Sequence, residues 1–295
     1  MSSFTKPETK SMKSSEIDSV MGTVLGQVFV NLPWSYVGRF IDLFLENRMN
    51  VELGFTALDL ESCTTGEVFA AAVRIRERGG RISFHGPFFD LNPGSVDPGI
   101  RELTRSRFES LFRLVETALP EQVVLHTGFD PRHHPGRNDD WVQNSLSTFE
   151  ALARRAEKLE CTLVLENVFE QGPQLHRELL SRVNSPRLGF CLDVGHQQAF
   201  SRQPLDKWLQ ELWPYLKEVH LHDNDTSSDA HLPVGAGTVD FDKLFGFLTQ
   251  KRISPQLTVE PHQVEHLYET LAGLASLASF SEFLGTCRKD AWSPA

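Results

Sequence analysis

Residues Lys217–Gly237 read KEVHLHDNDTSSDAHLPVGAG. The segment begins as a strand: Val219 and Leu221 alternate with His220 and His222, a period of two that sends both imidazoles to one side. It then turns polar, with Asp223, Asp225, Asp229 and His231, and closes on Pro233, Gly235 and Gly237. Imidazoles and carboxylates at and just past a strand end form a ligand inventory suited to zinc, manganese or iron. A solvated loop after a short strand would have the same local composition. The rest of the chain decides between the two.

The same event recurs on either side. Short apolar strands are predicted at 26–31, 51–55, 81–86, 122–127, 162–167, 187–193, 217–222 and 256–260. Each precedes a stretch of helical periodicity, at about 33–47, 65–78, 98–119, 139–160, 173–183, 205–213, 241–250 and 264–283. Punctuation supports these bounds. Thr64 and Thr65 are candidate caps, Gly79-Gly80 stops the same helix, and Asp97-Pro98 sets an N-cap and first position. Near-continuous apolar strands alternating with helices imply a parallel sheet covered on its outer face. Eight such units in 295 residues imply an α/β protein made of a single (β/α)8 TIM barrel, with its chemistry at the C-terminal strand ends. An open doubly wound sheet is the competing architecture, but the first strand-to-helix turn lacks GxGxxG. No boundary divides the barrel, predicted over 21–287. Residues 1–20 are Ser/Lys-rich and read as a tail, as do 288–295.

Composition narrows the class. At this length folding buries roughly 75% of the extended chain's surface, so the core needs no staples. Cys63, Cys161, Cys191 and Cys287 are widely spaced with no CxxC, which implies reduced thiols, a cytoplasmic setting and no cysteine zinc site. No apolar run reaches the ~20 residues of a membrane span, and the N-terminus has no apolar signal core. The formal net charge of −10 is opposite to the basic balance of a nucleic-acid binder, although bound cations would alter the local field.

At the C-terminal strand ends the third strand supplies His85, the fourth His126 and the fifth Glu166. The sixth ends in Asp193 with His196 three residues on, the seventh brings His220 and then Asp229-x-His231, and the eighth ends in Glu260. A lone histidine at a strand end is ordinarily a hydrogen-bonded core residue. Ligand-type residues from six successive strands are a different matter, since acids in an apolar barrel mouth are costly without a cation. A bound divalent metal follows.

The segments FHGPFFDLNP, VVLHTG, LVLENV, CLDVGH, VHLHDND, DAHLPVGAG and VEP, in this order, resemble the xylose isomerase-like TIM barrels, a family that includes the endonuclease IV group. The resemblance runs from about Gly26 to Phe283. It implies, in the sugar isomerase and epimerase branch, one divalent ion held by Glu166, Asp193, His220 and Glu260. Mn or Zn is the expected metal, and the two glutamates double as acid and base. It implies equally that His85, His126, His196, Asp229 and His231 complete the nine-ligand, three-zinc set of the endonuclease IV group. All nine residue types are present, so the ligand inventory leaves one ion or two to three open.

The surrounding wording leans toward the sugar branch. The endonuclease group favours DTCH, HLND and DRH, where this chain has DVGH, HLHDND and DAH. Ketose 3-epimerases usually carry an arginine soon after the strand-seven histidine, and Asp225-Thr226 supplies none. The favoured expectation is therefore a metal-dependent sugar or sugar-phosphate isomerase or epimerase. Glu166 and Glu260 would move the proton, with His196 and His85 on substrate hydroxyls. A zinc-cluster phosphodiesterase acting on abasic-site DNA is the alternative, and a non-catalytic sugar-binding barrel is the third; under each of them a homo-oligomer is compatible with the sequence.

Other residues carry open readings. His222 rivals His220 as ligand, and Glu52 either reaches the rim or stays buried and hydrogen-bonded. Arg132, His133 and His134 read as a solvated loop tip that could touch phosphate. Phe88 and Phe89 either wall a pocket or pack under their own loop. His176, His262 and His266 read as helix-surface residues.

Overall fold

A computed structural model of the chain describes residue 22 and residues 24–290, with side chains to residue 287. Eight parallel strands close on themselves in the order β1 to β8, with β8 paired back to β1. They span Phe29–Pro33, Asn50–Gly54, Ile82–His85, Gln122–His126, Thr162–Glu166, Leu188–Asp193, Leu216–Leu221 and Gln256–Val259. The (β/α)8 barrel read from the strand–helix alternation is thus the observed fold. The tail expected over 1–20 lies outside the described residues. The last helix, Ala278–Asp290, carries regular structure three residues past the expected end of the barrel, leaving 291–295 outside.

The core lies between barrel and helices, where Phe108, Phe112, Trp141, Phe149, Trp208 and Phe245 are buried against outward-facing Val and Leu of the strands. Each such side chain contributes about 1.5–3 kcal/mol by leaving water. Helix ends follow the local chemistry. Thr64 caps Thr65–Glu77 in a reciprocal capping box with Glu67, and Gly79 takes the left-handed turn (φ 87°) after it. Asp97 caps Pro98–Ala118 by accepting from the Gly99 N–H.

Three departures from the sequence reading have local causes. Ala57–Ser62 is a short helix capped by Thr56 and Asp59, too brief to show a period. Val194–Phe200, directly after β6, is helical because the Asp193 carboxylate caps it. The single helix expected at 264–283 is two, Val264–Ser276 and Ala278–Asp290, broken where Leu277 is extended (ψ 118°). The break lets Phe280 and Phe283 pack on Phe245 of the helix Phe241–Lys251. Among the described residues no helix is long and apolar enough to cross a membrane, and the four cysteines are unpaired.

The barrel interior is unusual in being polar near β7. Val124, Val164 and Cys191 form a small apolar cluster of their own. Beside them Glu52, Ser83, Glu218, Gln256 and Thr258 form a hydrogen-bonded network.

Candidate functional site

Parallel pairing aligns the strand ends. His126 is level with Glu166, and Asp193 with His220. Asp193 does more than end β6: its Oδ1 accepts the backbone N–H of His196 at 2.6 Å, the N-cap bond of the helix that brings His196 back over the mouth. Asn167 clamps this corner. It donates from Nδ2 to the Asp193 carbonyl (3.0 Å), accepts the Asp193 N–H (2.9 Å), and its own carbonyl faces His196 Nδ1 at 3.0 Å.

All nine residues expected at the rim come together. Glu166 is the hub. Its Oε2 lies 3.0 Å from His85 Nε2, 3.2 Å from His126 Nε2 and 3.6 Å from His220 Nδ1, and its Oε1 lies 3.1 Å from His196 Nδ1. His220 Nδ1 is also 3.2 Å from Glu260 Oε1 and 3.9 Å from Asp193 Oδ2. On the other flank Asp229 Oδ2 lies 3.2 Å from His196 Nε2 and 3.3 Å from His231 Nε2. His231 is 3.8 Å from Glu260 Oε2, which links the flanks.

The donor set fits a cation. His220 Nδ1, His222 Nδ1 and Asp229 Oδ1 are buried and make no hydrogen bond among the described residues, an arrangement costly for neutral packing and suited to ligation. Ligand atoms of His196, His222, Asp229 and His231 lie within 4.8 Å of one another, as do those of His85, His126 and Glu166. Without a cation the acids hold their charge by protonating the imidazoles. Burial would raise Glu166, but the charges of His126 and His220 hold it well below the usual carboxylate range. Glu260 is lowered in the same way against burial by His220, and Asp229 by hydrogen bonds to His196 and His231. Burial opposes charge on His85 and His231, yet Glu166 and Asp229 respectively raise them to about 9. For His126 burial wins over Glu166 and lowers the imidazole.

Of the three aspartates in the opening segment, Asp229 alone faces the imidazoles. Asp223 is a loop fastener: Oδ1 accepts the N–H groups of Asn224 and Val239, and Oδ2 those of Gly235 and Gly237, all at 2.9–3.0 Å. Asp225 is exposed and holds Ser227. His222 lies against the second flank, with Nε2 3.0 Å from both oxygens of Asp193 and its ring stacked on His231 at 3.8 Å. Glu52 is fully buried and accepts from Asn31 and Ser83, below the rim rather than on it. Glu218, absent from the sequence reading, sits beside it. Its signal was the parity already used for His220, since two residues upstream in a strand point the same way.

Elsewhere Phe88, itself exposed on its outer side, stacks on His126 at 4.4 Å and walls the cluster, while Phe89 is the more exposed of the two. His134 is not a solvated tip: it is buried, stacked on Phe129, with Nε2 2.9 Å from Asn92 Nδ2. Arg132 pairs with Asp130, and together with Arg202, Gln171 and Gln174 it lines a cleft of about 790 Å³. His176 is not on a helix surface but fully buried between Phe190 and Trp208. His262 precedes its helix and stacks on His231 at 3.9 Å, whereas His266 lies half-buried in Val264–Ser276.

Residues 51–279 match the xylose isomerase-like TIM barrels, and the chain belongs to that family. An uncharacterized protein of Methanocaldococcus jannaschii, MJ1311, is 31% identical over 171 residues, covering 54% of this chain and 57% of its own length. The match thus spans less than two thirds of that relative. A probable endonuclease 4 of Mycoplasma pneumoniae is 22% identical over 248 residues, 77% of this chain and 79% of its own. Among solved structures, a D-tagatose 3-epimerase-like protein superposes with a TM-score of 0.71 at 20% identity, over 88% of this chain and 98% of the other.

Proposed function

We propose that the chain is a divalent-metal-dependent isomerase or epimerase of a sugar or sugar phosphate. The observation that carries this reading is the convergence on His220 Nδ1 of carboxylate oxygens from Glu260, Glu166 and Asp193, at 3.2, 3.6 and 3.9 Å. Glu166, Asp193, His220 and Glu260 would hold one ion, Mn or Zn by donor type. When bound, the ion polarises the carbonyl and neighbouring hydroxyl of the sugar. Glu166 and Glu260, on β5 and just past β8, take a proton α to the carbonyl and return one from the other side. His85 and His196, each anchored on Glu166, face substrate hydroxyls, and Phe88 excludes water from one wall.

The test is Glu260→Gln with deuterium incorporation followed at the reacting carbon across a panel of ketose–aldose pairs and phosphates. The variant is expected to stay folded and lose exchange; exchange at the unsubstituted rate refutes the assignment of Glu260.

A second reading rests on a separate observation. His85 and His126 on Glu166, and His196, Asp229 and His231 on the other flank, also assemble the donors of a multi-zinc phosphodiesterase. Likeness to a probable endonuclease 4 supports it. Against it, His222 occupies the asparagine position of the endonuclease HLND wording and places its ring on Asp193. Two or three metals per chain with incision of an abasic duplex would establish this alternative; one metal and no incision would remove it.

A further inference from the structure

His220 faces two ways. Nδ1 looks to the mouth, while Nε2, buried and without a hydrogen bond among the described residues, looks down the barrel, 3.5 Å from Glu52 Oε1 and 3.5 Å from Glu218 Oε1 as its facing acceptors. All three residues are fully buried. Each acid is clamped by neighbouring strands: Glu218 accepts from Gln122, Gln256 and Thr258, and Glu52 from Asn31 and Ser83. Those donors sit on β4, β8, β1 and β3, so the barrel wall itself sets the two carboxylates. Burying acids is expensive unless their partners are well placed. The adjacent positions Val124, Val164 and Cys191 fill the same interior with apolar side chains, so packing alone does not call for glutamates.

We propose that Glu218, with Glu52 on its flank, is a positioning residue that accepts the Nε2–H of His220. That contact would fix the ring orientation and leave the Nδ1 lone pair pointing at the cation site. The inference deepens the metal-dependent reading and rests on it. A carboxylate behind a ligating imidazole sets its tautomer and raises its basicity. Glu218, with three donors against two on Glu52, is the more firmly placed of the two.

Cobalt(II) is the probe, added to the full chain after chelator treatment and followed by calorimetry and by visible absorption. Glu218→Gln is expected to weaken cobalt binding about 10–100-fold and to shift the absorption band, with a smaller loss for Glu52→Gln. The chelated variants should keep a cooperative melting transition, which separates a loss of cobalt binding from a loss of fold. Should Glu218→Gln not fold, Thr258→Val removes one donor to Glu218 and is expected to weaken binding less but measurably. Variants that bind cobalt within about twofold of the unsubstituted chain overturn the inference, whatever their melting point. An unsubstituted chain that takes up no cobalt overturns both this inference and the metal-dependent reading, whereas normal uptake with unaffected variants overturns this inference alone.

Discussion

Replacing Gly195 by alanine tests how tightly the second flank of the site is held. An added Cβ would lie 1.9 Å from His222 Cε1, 2.3 Å from Nδ1 and 2.6 Å from Nε2. Ordinary carbon contacts are about 3.5–4 Å, so the ring would have to withdraw by roughly 1.5–2 Å. It has no free direction, being held at Nε2 by Asp193 and on one face by His231. Overpacking costs about 1–3 kcal/mol. Losing a hydrogen bond to a carboxylate adds about 1.5–3 kcal/mol. Against this, alanine gains up to about 1 kcal/mol over glycine in a helix. The net loss is roughly 2–5 kcal/mol, which for a chain of this length lowers the melting midpoint by roughly 3–8 °C. Gly38→Ala is the control: it lies in the helix Trp34–Glu46 with nothing within 4 Å of its added Cβ, and should be neutral or stabilising. Thermal melts of both variants decide the matter. A Gly195→Ala protein as stable as Gly38→Ala would show that His222 is free to move and is not pinned on Asp193.

Further outcomes follow from other sites. Asp223→Ala strips the acceptor from four backbone N–H groups and should cost about 3–5 kcal/mol, with Asp223→Asn recovering part; a urea midpoint change worth under 1 kcal/mol would remove its fastening role. Burial lowers the His176 imidazole below its ordinary value against the charge of Glu170, so the unfolded chain binds the extra proton first and stability falls as pH drops below about 6.5. His176→Phe, filling the gap between Phe190 and Trp208, should flatten that limb and leave stability at pH 7 equal or higher; an unchanged pH slope would refute the assignment. Saturating Mn, Zn or Co at ~1,000 times the dissociation constant should stabilise the fold by about 4 kcal/mol, reversed by a chelator. No shift with any of the three would argue against a resident cation.

The barrel was legible because its strands are short apolar runs between capped helices, a pattern that survives without knowledge of any contact. The rim was legible for a related reason: His85, His126, Glu166, Asp193, His220 and Glu260 each interrupt an apolar run at its C-terminal end. Residues that act through three-dimensional neighbours were not. Asp223 and Asp229 are the same residue type six positions apart, and only folding shows that one meets backbone N–H groups and the other imidazoles. The helix Val194–Phe200 was hidden because seven residues are too few for periodicity, although the Asp193-x-x-His196 spacing of its N-cap was present. His176 was misplaced because a histidine on an amphipathic helix looks alike on either face.

The Asp223 clasp has an evolutionary corollary. It ties the exit of β7 to the Gly235–Val239 turn, and the Asp223–Leu232 backbone bridge closes the same gap, so residues 225–228 hang from a fixed neck and are exposed. Changes of composition at that tip leave the neck alone, whereas a change of length would shift Asp229, the next residue along, from His196 and His231. The spacing from the tip to His231 is therefore the constrained quantity, and the identities of the four tip residues are the free one.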